Sequence, residues 1–425
     1  MNEKRLTETI TEDGISWINF FNGRLLSGED LSREQDSNLE GRRRLGRAIG
    51  EGIAYGLEVS IAKGVNTRES PQVEVEAGLA LNRQGQSLSL GSRTRVRLAR
   101  PVNAESVDFS GSAFDDCKPL QPGTYVAEAG VYLLTIAPAR SSQGRATVSG
   151  LDNILARCNT HHTVEGVQFR LIQLGLSSHE LEDTARLRNI IAYRCFGFGN
   201  PQAQPFFTNP FDPSTKARSL LDELRPRLLT DCDVPLAIIN WTTLDGIKFV
   251  DMWAVRRRLT APQAATTWGA ATGDARSSLT EAMVWQFADQ IKDLREGSSS
   301  LESLTAKGRF KYLPPLGLLP VSRQNFDGVI VNDFFSGFAH REPEFVDGVI
   351  LRSLFEQASE HEPIDLSRGE MVWLYKCWQN ELVFRRSGNV QPYVIFTSAW
   401  MPYLAAARFD ASRWDFSNYA RCETC

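Results

Sequence analysis

Few residues in this chain combine type and spacing in a way that performs chemistry. Cys158-Asn-Thr-His161-His162 sets a thiol and two imidazoles close together, the donors zinc takes, yet this is half of a tetrahedral site that wants four protein ligands. Cys422 and Cys425 form a C-x-x-C at the end of the sequence. A lone pair of this kind is weak, and a terminal position is a poor redox scaffold. Cys158, His161, Cys422 and Cys425 would make one zinc site only if the two halves met. The five histidines, His161, His162, His179, His340 and His361, leave little room for acid–base catalysis, and none stands in H-E-x-x-H. The chain has no G-x-S-x-G, Walker loop, G-x-G-x-x-G or EF-hand run. Asp245, Asp251 and Asp333 are carboxylates that a glycosidase-type pair would need across a cleft, though turns and surfaces are the commoner place for them. The runs Arg42 to Arg44 and Arg256 to Arg258 suit an anionic partner or intramolecular ion pairs. These residues imply no catalyst, cofactor or resident metal.

The elements that would position a binding surface are more legible. Ser27 followed three residues later by Asp30 is an S-x-x-D helix start, and Gly50 with Gly52 marks a stop. The predicted helix spans Gly28 to Ile49, with Glu29, Asp30, Glu34 and Asp36 in its first half and Arg42, Arg43, Arg44 and Arg47 in its second, as the macrodipole favours. Leu31, Leu39, Leu45 and Ile49 form a stripe roughly 120° wide, the width expected of a helix lying on a core. Asn38 and Arg42 interrupt its centre, so either buried partners satisfy them or the face meets another chain.

The order of the remaining elements predicts a β-rich stretch and then a mixed one. A strand is expected at Gly56 to Ala62, and Val73, Val75, Ala77, Leu79 and Leu81 alternate as one half-buried strand. Ser87 to Leu90 and Thr94 to Leu98 continue the meander, and Val131 to Ala137 and Val167 to Leu174 complete a sandwich or partial barrel. A helix is expected from His179 to Arg194. Pro-rich loop carrying Phe206, Phe207 and Phe211 follows, either tucked on its own core or serving as interface anchors. A short helix then covers Ser219 to Arg225, and Asp245-Gly246 turns a hairpin of Pro235 to Thr243 with Ile247 to Val255. Ser278 to Arg295 reads as an amphipathic helix. Prolines in Phe310 to Pro320 enforce a covered, polyproline-like path. Val346 to Gln357 reads as a helix, and Met371 to Trp378 and Pro392 to Ser398 as strands. The expected fold is therefore α+β, divided at 1–62 (docking module), 63–175 (β-rich), 176–262 (helix, loop and hairpin) and 263–425 (mixed).

At 425 residues, 42% hydrophobic and 23% charged, the composition is that of an ordinary globular chain, and a net charge of −4 gives a phosphate backbone no reason to bind. The opening residues are too polar for a signal peptide, and no run approaches the ~18 apolar residues of a membrane span. Synthesis in the cytosol is expected. Seven scattered cysteines do not resemble a disulfide framework, and most are expected to be reduced.

The succession FFNGRLLSGEDLSREQ, RRRLGRAIGEGIAYGLEV, VEVEAGLALNRQGQSLSL, TVEGVQFRLIQL, DVPLAIINWTTLDGIKFVDMWAVRRRL and FKYLPPLGLLPV resembles a largely uncharacterised bacterial family encoded beside contractile injection systems, the phage-tail-like particles. The aromatic-Asn-Gly-Arg-Leu-Leu turn leading into a helix is similar to a module shared more widely in those clusters. The resemblance implies a structural, non-enzymatic protein of the baseplate or a peripheral attachment, present in several copies around a symmetry axis, in a particle retained in or released from the cell. Its partners would be other subunits, not nucleic acid. Leu31, Leu39, Leu45 and Ile49, or Phe206, Phe207 and Phe211, would anchor a neighbour, with Arg42 and Arg256 orienting it. Two other classes compete. A glycan- or cell-wall-binding module would use Trp241, Trp400 or Trp414, and a carboxylate hydrolase would need an acidic pair in a cleft.

Overall fold

The computed structural model describes residues 11–98, 129–147, 158–176, 178–199, 219–225, 227–260, 274–297, 300–323, 327–346, 348, 351–378 and 392–401. The fold is α+β, a long N-terminal helix followed by strands in several sheets. Helix α1 spans Gly28–Ile49, and its start is a complete capping box. Ser27 Oγ accepts from the Asp30 amide at 3.1 Å, and an Asp30 carboxylate oxygen accepts from the Ser27 amide at 3.0 Å.

Two three-stranded sheets follow. One orders β1 (Gly52–Gly56), β4 (Gly78–Leu81) and β5 (Ser87–Leu90) as β1-β4-β5. The other orders β2 (Val59–Ile61), β3 (Gln72–Val75) and β6 (Thr94–Arg97) as β2-β3-β6. The single strand expected from Val73 to Leu81 is thus two strands in different sheets. The chain crosses over at Glu76 and Ala77, where the Glu76 amide donates to Glu58 O and the Leu57 amide to Ala77 O. The inward phase reverses at this crossing: Val73 and Val75 are buried from β3 but Ala80 from β4, while Ala77 is exposed and Leu79 and Leu81 are half-buried, and both sheets still contribute to one core together with Leu88.

The same core is closed by a four-stranded antiparallel sheet, β10-β9-β7-β8, built from β7 (Gly130–Thr147), β8 (Cys158–Gln173), β9 (Val234–Thr242) and β10 (Gly246–Asp251). Strand β9 pairs with β7, so the predicted Asp245-Gly246 hairpin shares a sheet with the β-rich stretch. Tyr132, Leu134 and Ile136 point into the first core, while Val131, Leu133 and Ile238 point into a second one. A sheet buried on both faces needs apolar residues at consecutive positions, which is why Val131 to Ala137 reads as a continuous run.

That second core is covered by α2 (Ser178–Glu182), α3 (Leu187–Cys195), α4 (Leu220–Leu224) and the first half of α5 (Asp274–Gly297). The helix expected from His179 to Arg194 is broken at Asp183, whose carboxylate accepts from the Arg186 amide at 3.3 Å and so competes with the helical ladder. The second half of α5 enters a third core through Phe287 and Ile291, facing Phe310, Phe334 and Phe396. Here α6 (Ala306–Arg309) leads into β11 (Tyr312–Leu313) and β12 (Leu316–Pro320). The expected polyproline path is instead two short strands. β11 pairs with β14 (Ile364–Asp365), and β12 takes the edge of a sheet ordered β12-β16-β15-β13, an edge being where proline is tolerated. The other members are β13 (Glu344–Phe345), β15 (Trp373–Trp378) and β16 (Pro392–Thr397). Short α7 (Val331–Phe334) completes the third core, and α8 (Leu351–Ser359) covers the sheet's other face. Helix α8 begins after the predicted Val346, which pairs its amide with Lys376 O as the end of the β13 edge.

Buried charges join these layers. Arg188 on α3 donates to Asp251 at 2.9 Å, Gln286 on α5 donates to the same carboxylate at 2.9 Å, and Asp251 also accepts from the Ala254 amide at 3.0 Å. Arg170 pairs with Asp233, which also accepts from Thr135 Oγ1 at 3.0 Å and from Thr230. Cys195 and Cys377 are buried free thiols, as expected of most cysteines here, whereas Cys232 is disulfide-bonded. No helix among the described residues is long and apolar enough to cross a membrane.

Candidate docking face

Helix α1 does not lay its leucine stripe on the core. Its only buried residue is Gly46, and Leu31, Leu45 and Ile49 are exposed, Leu45 by 68%. The reason is the manner of its attachment. Gly46 meets Gly85 in the β4–β5 turn so closely that a Cβ on Gly46 would lie 2.2 Å from Gly85 O. Gly85 itself adopts φ +75°, and a Cβ there would lie 2.0 Å from Arg43 O. Backbone therefore packs on backbone at the last turn. Glu51, just beyond the helix, adds a clamp by accepting from Arg83 at 2.7 Å.

The approach leaves a cleft of about 330 Å³ between the helix and the β7–β8 hairpin, and it is here that the structure brings Leu39, Arg42, Leu45 and Ile49 together, opposite Leu81 and Pro138. The expected interruptions of the stripe resolve differently. Asn38 donates to Glu34 O at 2.9 Å within the exposed helix surface, so it needs no buried partner. Arg42 is exposed and makes no ion pair or hydrogen bond among the described residues. Its neighbours are engaged, since Arg44 and Arg47 both pair with Glu40, at 3.3 and 2.7 Å. The Arg47 hydrogen bond is the main cause holding the Glu40 carboxyl below its usual range.

The segment before α1 extends this face and was missed as part of it. Residues 15–21 run back along the helix without regular structure. Ile15 reaches to within 3.9 Å of where a Gly41 Cβ would be, Ser37 Oγ donates to Ser16 O, and Ile18 is buried. Arg24 fixes the turn by donating to Asn19 O and to Asp30, each at 2.9 Å. Trp17, Phe20, Phe21, Leu25 and Leu26 all remain exposed, Leu25 by 93%. Apolar side chains held outward this densely form a candidate interaction surface. The signal was available in Trp17 to Leu26, where six large apolar residues surround an Asn22-Gly23 turn.

The other predicted residues lie elsewhere. Arg256 is an internal clamp. It donates to Gly56 O at 2.6 Å, lies 3.6 Å from Glu58, and its guanidinium is lowered by burial, with only 11% of the side chain exposed. Phe206, Phe207, Phe211, Trp414, Cys422 and Cys425 fall outside the described residues. Cys158 and His161 lie on β8, and among the described residues no group of three or more His, Cys, Asp or Glu could hold a metal. Trp241 is buried with its indole N–H on Thr67 O at 3.0 Å, so it cannot serve a glycan. Trp400 is half exposed beside Trp373. The acids named for a hydrolase do not face each other at β10: Asp251 is buried on Arg188, while Asp245, beyond the strand's other end, is exposed on Lys248 at 2.8 Å. The chain matches no family model and no curated protein.

Proposed function

We propose that this protein is a structural component of a contractile, phage-tail-like particle, joined to neighbouring subunits through α1 and the aromatic segment before it. The observation that carries the reading is the exposed apolar face from Trp17 to Ile49, on a helix that buries only Gly46 of its own residues. The sequence resemblance described above supplies the kind of assembly. Leu31, Leu45 and Ile49 each contribute about 1.5–3 kcal/mol when such a side chain passes from water into an interface. Arg42, which makes no ion pair or hydrogen bond among the described residues, orients the partner by a paired hydrogen bond to a carboxylate. Several copies around an axis follow if the particle is symmetric.

The test is sedimentation of particles from the native host, with mass spectrometry of the pellet, comparing the wild type with Arg42→Glu and Leu45→Glu. Both variants are expected to fold as the wild type does and to stay in the supernatant. Normal incorporation of the two variants, or particles that assemble unchanged without the protein, overturns the reading.

A further inference from the structure

A second cleft, of about 620 Å³, opens between α2–α3 and β11, a volume in the range that holds small molecules. It is independent of the docking face. Glu180, Asp183, Arg186, Arg194, Lys307 and Lys311 line it, leaving a surplus of two positive charges. Both acids are already occupied, Asp183 by Arg186 at 2.6 Å and Glu180 by Arg194. The lysines meet no acid among the described residues. Lys307 gives one donor to Gly337 O at 2.9 Å and rests 4.8 Å from the Phe338 ring centre. Lys311 Nζ sits 5.3 Å from the Tyr312 ring and makes no hydrogen bond or ion pair among the described residues. An ammonium carries three donors, so both retain capacity for an acceptor in the cleft.

The rest of the lining is apolar and partly flat. Ile190, Phe198, Tyr312 and Leu366 form it, and Tyr312 is held in place by stacking on Tyr193 at 5.0 Å. The geometry points to a binding site for a phosphorylated aromatic small molecule, its phosphate between Lys307 and Lys311 and its ring against the half-buried Phe198. A phosphate monoester carries roughly −1.5 to −2 near neutral pH, which matches the surplus charge. A ring stacks on aromatic side chains in offset or edge contact.

Isothermal titration of the full chain with AMP, inorganic phosphate and adenosine at low salt tests this. AMP is expected to bind saturably and at least about tenfold more tightly than either fragment, because charge and ring are recognised together. Lys307→Met with Lys311→Met is expected to weaken AMP by about a hundredfold, some tenfold for each charged hydrogen bond, with an unchanged melting curve. Should the double variant misfold, Lys311→Met alone removes an ammonium that makes no hydrogen bond or ion pair among the described residues, and an about tenfold loss is expected. Absence of saturable AMP binding, AMP no tighter than phosphate, or lysine variants that bind as the wild type does would overturn the assignment.

Discussion

The two long helices, α1 with 22 residues and α5 with 24, put similar lengths of chain to opposite uses. Helix α5 buries Ala282 and Met283 in one core and Phe287 and Ile291 in the next, so it ties the central sheet to the C-terminal one. Its polar residues are buried too, Gln286 on Asp251 and Gln290 on Gln286. Helix α1 buries one glycine and turns its leucines to solvent. Its strong local rules, a capping box and a graded charge distribution, do for α1 what tertiary packing does for α5. A helix that buries so little of itself needs such rules more than one assembled inside a core.

The largest expected effect that would break this contrast is in α5. Phe287 is fully buried between Phe310 and Phe396, with ring centres 5.3 and 5.2 Å away. Phe287→Ala should cost about 3–5 kcal/mol in denaturant unfolding. If α5 couples the cores, tryptophan and far-UV signals shift together. Arg188→Met comes next. It strands the Asp251 carboxylate, 1% exposed, without its cation, and about 3 kcal/mol should be lost in the same measurement. Ser27→Ala sharpens the other side of the comparison. Loss of the cap should cost about 1 kcal/mol in α1, read as faster amide exchange confined to its first turn.

Acid should act on the same place. The backbone hydrogen bond from Ser27 is the main cause holding the Asp30 carboxyl below its usual 3.8. The folded-state value is the depressed one, so the carboxylate's support for the cap is present above the unfolded value and is lost as pH falls through the folded one. Exchange at the first turn of α1 should therefore rise on acidification below 3.8, while exchange in α5 stays slow. The smallest effect on stability belongs to Leu45→Glu, expected to be within ~0.5 kcal/mol of the wild type by thermal melting. A large loss there would mean that α1 rests on its own body through its stripe.

How much was legible follows the same division. The ends of α1 could be read because Ser27, Asp30 and Gly50 act locally, and both ends coincide with the structure. The β9–β10 hairpin was legible for the same reason, although Gly246, at positive φ, opens β10 opposite Thr242 and the connection is Thr243 to Asp245 instead of the two residues Asp245-Gly246. The break between β3 and β4 was hidden, since Ala77, Leu79 and Leu81 continue the apolar spacing of Val73 and Val75 in sequence although it is Ala80 that β4 buries. Arg256 could not be placed from sequence, because its acceptors Gly56 and Glu58 are brought to it only by the fold. The apolar stripe of α1 was read from periodicity, which states that one face is apolar but not whether that face is covered. The lysine-lined cleft gave no sequence signal, its walls being far apart in the chain.

The glycine contact at Gly46 and Gly85 has a consequence for interchangeability. Since the joint is made of main chain, the body reads almost none of the helix's side chains at that point. Helices with quite different outer faces could be seated on the same socket provided that both glycines are kept, so one scaffold could be refitted for a new neighbour without redesigning its interior.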